Sequence, residues 1–390
     1  MQEEPTEPSH YRPIFERGID PDVEDPQQCH THSEIPDEWP PLDEILDYQD
    51  RVRNRALSIL QEGYALQDRA IGEALWIGYE HEAMHLETFL YMLLQSDKTL
   101  PPTGVDRPNF EQISRQAKRD EKPNKWFTIP QQTIEIGLDD SNEEVMPNKS
   151  FGWDNEKPQR KATVHAFEAQ ARPITNGEYA KYVQDMGIQT YPASWVVNQG
   201  QDNPISKGIG SSCVQAGSSS NPARFSLEDV TVRTVFGPVA LELAQDWPLI
   251  ASYDEVASYA KCMQCRIPTF EETRSIYHYS DQLKTDRATN SPRYGRKPRS
   301  NIAETNLYVR NVSNGVAKDT KLHSADQAIF RDLTGCNVGF NNWHPVPVTP
   351  NGDQLAGQGE MGGVWEWTST PLMPHDGFKS MDIYPGYTCK

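Results

Sequence analysis

The first clear periodicity along the chain follows Pro40-Pro41. Ile45, Tyr48, Val52, Ala56 and Ile59 recur at spacings of three or four, which is one helical face. Proline suits a first helical turn, and Asp43 and Glu44 favour its positive end, so a helix is predicted here. A second helix is predicted over 69–95. At about 100° per residue, Ile71, Leu75, Tyr79, Leu86, Leu90 and Leu93 form one apolar stripe. Glu73, Glu80 and Glu87 fall on the opposite side, where a solvated face is expected. His81 and His85 share a face beside the stripe, with the small residues Ala74 and Gly78. They are expected to point inward. Glu82 falls on the stripe itself, an expensive place for a carboxylate without a partner.

The rest of the chain has other textures. Residues 1–40 are rich in proline and acids and lack periodicity, so an irregular segment is expected. The helical part is taken as 41–97 and a proline-rich linker as 98–125. From 126 to 390 the pattern is that of one α+β domain. "WFTIPQQTIEIGLDD" reads as short strands, and "KATVHAFEAQARPITNGEYAKYVQDMG" as strand running into helix. Segments 199–224 and 280–325 are polar and are expected to be loops or insertions.

Charge and composition narrow the function classes. Lys plus Arg number 37 against 56 Asp plus Glu, a formal charge of −19, which repels phosphate backbones and argues against nucleic acid. No apolar run reaches the roughly 18 residues of a membrane span, and the acidic N-terminus lacks the features of a secretory signal. A soluble, cytoplasmic protein is expected. Six scattered cysteines in a chain of 390 residues argue against a disulfide framework. Cys262-x-x-Cys265 is the one close pair and lies at the end of a helical pattern.

The string His81-Glu82-Ala83-Met84-His85 carries the chemistry. Histidines four apart on a helix can converge on one metal ion. The alternative is two satisfied core histidines. Read literally the string is H-E-x-x-H, the pattern of zinc hydrolases with the glutamate as general base. Glu82 projects about 100° around the helix from His81, and no G-x-x-H extension follows His85.

Three further strings point elsewhere. "EMGGVWEWTSTPLMPHDGFKSMDIYPGY" (360–387) resembles the core of the formylglycine-generating-enzyme, or sulfatase-modifying-factor, domain. "FEAQARPITNGEYAKYV" (167–183) and "CRIPTFEETRSIY" (265–277) resemble two more of its signatures, in the expected order. A DinB-like helical bundle with H-x-x-x-H, followed by this C-type-lectin-like α+β domain, is similar to the ergothioneine-biosynthesis sulfoxide synthases. "GYEHEAMHLETFLYMLLQ" and "HYRPIFERGID" resemble their fungal form. The resemblance implies a multidomain α+β chain with a partial DinB-like bundle. It implies one non-heme iron, Fe(2+), held by three histidines, of which His81 and His85 match two. It implies O2-dependent joining of cysteine (or γ-glutamylcysteine) sulfur to hercynine, with sulfoxidation. Tyr384 matches a tyrosine that assists near the iron. The resemblance further implies fusion, in the full-length protein, to a histidine methyltransferase domain.

The chain departs from that pattern. The family's first iron ligand lies in an upstream Gly-His context, and no Gly-His string precedes residue 81. His30 and His32 are the histidines that could replace it. A glycine-rich strand that follows the tyrosine motif in the family does not follow Tyr387 here. The resemblance therefore implies a piece of a larger enzyme that binds iron weakly and has little activity. Exposed apolar faces on the helices near 42–60 and 69–95 are expected. Three alternatives stay open: an ovothiol-type 5-histidylcysteine sulfoxide synthase, a non-catalytic binding module, and an H-E-x-x-H zinc hydrolase. Trp365 and Trp367 are expected in the framework of the second domain, and Glu366 is expected to fix a loop by hydrogen bonds.

Overall fold

The computed structural model describes residues 6–15, 36–96, 98–140, 151–188, 190–197, 227–289, 308–313, 316–321 and 336–381. These residues form an α+β fold whose contacts divide it into two compact units. The first comprises Met1–His85, Gly137–Gln159 and Pro374–Lys390; the second comprises Leu86–Ile136 and Arg160–Met373.

The first unit is mainly helical. A five-residue helix, α1 (Tyr11–Phe15), precedes α2 (Leu42–Gln61) and α3 (Arg69–Leu93), whose last two turns belong to the second unit. Both long helices start where the periodicity places them. Tyr11 is buried, donates its hydroxyl to Glu44 at 2.9 Å and packs edge-on against Tyr48. The predicted α2 face is half-buried at Ile45, Tyr48, Ala56 and Ile59, and no α2 residue is fully buried. Leu42 and Leu60 are 71% and 54% exposed.

The second unit holds the core. Its strands are β1 (Trp126–Ile129), β2 (Gln132–Ile136), β3 (Arg160–Val164), β4 (Phe167–Gln170), β5 (Trp195–Val197), β6 (Val230–Val232), β7 (Val239–Ala240), β8 (Tyr308–Ser313) and β9 (Val316–Lys321). All pairings are antiparallel among the described residues: β1 with β4, β2 with β3, β5 with β6, β6 with β7, and β8 with β9. In β2 the outward Thr133 and Glu135 alternate with buried Ile134 and Ile136, the period of a half-covered strand. Part of the polar stretch expected to be loop is thus regular, since the β8–β9 hairpin lies within it.

Four helices complete the unit: α4 (Phe110–Asp120), α5 (Asn176–Met186), α6 (Tyr253–Cys262) and α7 (Phe270–Thr289). Helix α4 lies inside the stretch taken as a proline-rich linker, 98–125. Asn109 caps it by accepting from the Gln112 amide at 2.9 Å. Phe110, Ser114 and Ala117 form its buried side. Helices α5 and α6 each begin with a reciprocal capping box, Thr175 with Glu178 and Ser252 with Glu255. The main core gathers Phe110, Tyr179, Trp195, Leu241 and Trp247. His344 sits inside it, stacked on Trp247 at 5.5 Å and edge-on to Phe110 at 5.2 Å.

Candidate metal half-site

Helix α3 carries the candidate site. One face of its first half is pinned by charge and hydrogen bonds within the first unit. The Lys157 ammonium lies 3.2 Å from Glu73 and 3.4 Å from Asp140, and Asp140 also pairs with Arg69. The Trp153 indole donates to Glu80 at 2.6 Å. Gly72 approaches the same segment so closely that a Cβ would lie 2.8 Å from the Phe151 ring. The helix therefore presents its glutamate side to partners, the reverse of the expected solvated face. The leucine stripe is open in part: Tyr79 is 70% exposed, Leu86 54% and Leu93 51%, while Leu90 packs against the main core.

On the same helix His81 is half-buried and His85 exposed. Their rings stand 4.6 Å apart between centroids. A metal–imidazole bond of about 2.1 Å plus about 1.1 Å to the ring centre gives about 3.2 Å from metal to centroid. Two such rings at right angles around one ion have centroids about 4.5 Å apart, so the spacing fits adjacent positions of an octahedral metal. Burial, and then the neighbouring His85, push the His81 pKa down, while the charge of Glu82 opposes the shift. A lowered pKa keeps the imidazole neutral, which is the metal-binding form.

Among the described residues no group of three His, Cys, Asp or Glu side chains is arranged to hold a metal. His30, His32, Tyr384 and Tyr387 lie outside the described residues. Glu82 is exposed.

The tryptophan string of the second unit is placed differently from expectation. Trp365 and Trp367 are 76% and 54% exposed, so neither is a core residue. Their indole N–H groups are nevertheless used: Trp365 donates to the Tyr91 hydroxyl, and Trp367 donates to the Ala251 carbonyl at 3.0 Å. Between them, Glu366 accepts a hydrogen bond from Tyr277, which is the loop-fixing role expected for it. The residue reaches solvent, yet crowding of its carboxyl desolvates it and pushes its pKa up, against the Tyr277 hydrogen bond. Tyr91 was not singled out by periodicity.

Comparison with known proteins extends beyond the geometry. A family model described as a sulfatase-modifying factor enzyme 1-like domain matches residues 110–389. Over 98% of its length the chain is 48% identical to ergothioneine biosynthesis protein 1 of Neurospora crassa, of which it covers 45%. It is 28% identical to the Schizosaccharomyces pombe protein of the same name, over 97% of the chain and 42% of that protein. Hercynine oxygenase of Mycobacterium tuberculosis is 28% identical over 60% of the chain and 44% of its own length. The chain thus spans less than half the length of these relatives. Both histidines precede the region matched by the family model, while the similarity to the Neurospora protein runs across them.

Proposed function

The chain belongs to the sulfatase-modifying factor enzyme 1-like domain family, and on that premise we propose that it is the sulfoxide synthase part of an ergothioneine-forming enzyme. The reaction joins the sulfur of cysteine, or of γ-glutamylcysteine, to the imidazole C2 of hercynine, with O2 as oxidant and a sulfoxide as product. The observation that carries this reading is the His81–His85 pair at one-metal spacing, in a chain similar almost throughout to a protein named for ergothioneine biosynthesis.

His81 and His85 would hold Fe(2+) as neutral imidazoles. Iron so held supplies open positions for O2 and the thiol. The chain's own residues do the rest. The pairing of Lys157 with Glu73 and Asp140 fixes the turns of α3 that precede the histidines. Tyr384 is proposed to give a proton or hydrogen bond to reduced oxygen from its phenol. The third nitrogen ligand is proposed to be His30, His32 or a residue outside this sequence. The domain division at 40, 97 and 125, a cytoplasmic location and fusion to a hercynine-supplying histidine methyltransferase belong to the same proposal. No helix among the described residues is long and apolar enough to cross a membrane.

The test is product formation. The chain, joined to the further length its relatives possess, is supplied with Fe(2+), O2, hercynine and cysteine, and sulfoxide is followed by mass spectrometry. Product is expected from the native sequence and not from His81→Ala. Peptide cleavage abolished by Glu82→Gln would replace this reading with a zinc hydrolase. Product lacking dependence on His81 would remove the histidine pair from the mechanism.

A further inference from the structure

The stretch His375-Asp376-Gly377-Phe378 contains the Asp-Gly pair of a tight turn. The Phe378 amide donates to the His375 carbonyl at 2.9 Å and closes it. Gly377 takes φ 80°, a left-handed conformation that suits glycine. A Cβ added there would lie 3.0 Å from the Pro158 ring, so the turn lies against the segment 153–158 of the same unit. Two hydrogen bonds tie it down. His375 donates from Nε2 to the Lys157 carbonyl at 2.8 Å, and the Met381 amide donates to the Asp154 carboxylate at 3.3 Å. Asp154 is 5% exposed and Met381 8%, so the second bond is shielded from water.

The same short segment also holds α3. Trp153 donates to Glu80, the residue before His81, and Lys157 pairs with Glu73. Two adjacent residues therefore hold two different parts of the candidate site. Trp153 holds the turn of α3 that carries His81, and Asp154 holds the segment that leads to Tyr384. Tyr384 follows Met381 by three residues. Three residues of chain reach at most about 11 Å, so fixing the Met381 amide limits where the phenol can stand. A carboxylate accepting from an amide makes a stronger bond than a neutral acceptor does. A carboxylate this deeply buried is costly unless its oxygens are used.

We infer that Asp154 is a positioning residue for the reaction: through the Met381 amide it sets where Tyr384 stands relative to His81 and His85. The inference rests on the proposed role of Tyr384 in forming the sulfoxide. Asp154 acts through Tyr384 and not on the substrates. It supplies placement, and a misplacement of about 1 Å can cost roughly a hundredfold in rate. The His375 bond to the Lys157 carbonyl holds the other end of the same segment, so the chain is clamped on both sides of the Asp-Gly turn.

The test uses the lengthened enzyme of the product assay, as native sequence, Asp154→Ala, Asp154→Asn and Tyr384→Phe. Hydrogen exchange comes first, without metal or substrate, on a peptide containing the Met381 amide, with the α5 peptide as internal reference. Asp154→Ala should exchange about tenfold faster there. Asp154→Asn keeps an acceptor oxygen and should exchange like the native sequence. The second readout is sulfoxide formed per O2 consumed, a ratio that loss of folded protein does not change. Asp154→Ala should lower it about tenfold, in the same direction as Tyr384→Phe, and Asp154→Asn should restore it. Unchanged exchange in Asp154→Ala would overturn the inference whatever the activity. So would faster exchange with a native ratio, since the clamp would then serve the fold alone. A native ratio in Tyr384→Phe, or no sulfoxide from the native sequence, would overturn the proposed function and with it the role of Asp154, while the exchange result would still report on the clamp.

Discussion

Replacing Asp140 with Asn removes one charge from the buried cluster that holds the start of α3. The Asp140 side chain is 1% exposed and faces Arg69 and Lys157, which are 11% and 18% exposed. It also accepts from the Gly152 amide at 3.1 Å. Asparagine keeps the shape but leaves two sheltered cations facing one carboxylate, Glu73, which is itself 12% exposed. Breaking a buried ion cluster by removing one partner costs about 3–5 kcal/mol, and the retained hydrogen bonding favours the lower end. A loss of about 3 kcal/mol speeds amide exchange through local opening roughly a hundredfold. The assay is hydrogen exchange read on peptides covering 69–85 and 151–159, with the α5 peptide, in the other unit, as internal reference. The control is Glu135→Gln, which breaks an exposed pair with Lys161 at 3.7 Å, worth under about 1 kcal/mol. If Asp140→Asn exchanges no faster than this control in either peptide, the cluster does not anchor α3 and the reasoning fails.

Three further outcomes follow from the same packing. His344 is buried and its pKa is pushed down by burial, against its hydrogen bond to the Pro345 carbonyl. The unfolded chain therefore takes up this proton first: stability is complete above pH about 7 and falls as pH drops through about 6.5. Urea midpoints measured across that window should decline, and should decline less in His344→Gln. Phe110→Ala should destabilise the second unit by about 3–5 kcal/mol in urea titration, since Phe110 is 2% exposed among Phe236, Trp247 and His344. Gly72→Ala should lower the melting temperature of the first unit, because the new Cβ would lie 2.6 Å from the Ala65 carbonyl oxygen; an unchanged melting curve would mean that the helix start shifts freely.

The long helices were legible because their apolar residues keep a 3.6 period and proline and acids mark the start of α2. The short strands around 126–136 were legible from alternation. Helix α4 was not: it spans 11 residues between proline-rich flanks, and its buried side includes a serine. Periodicity also misassigned the glutamate side of α3. An amphipathic pattern shows two sides but not which side finds partners, and here Glu73 and Glu80 meet Lys157 and Trp153 specifically. Trp365 and Trp367 were misplaced for a related reason, since the size of an indole predicts burial better than the need of its N–H does. The closeness of the two histidine rings was legible because i, i+4 spacing on a helix puts them on one face. A further ligand from elsewhere in the chain has no such local signature.

Anaerobic calorimetry with Fe(2+) tests the central claim most directly, comparing the chain with its His81→Ala, His85→Ala double variant. The account predicts saturable binding by the native sequence that disappears in the variant. Identical heats from the two proteins would contradict it.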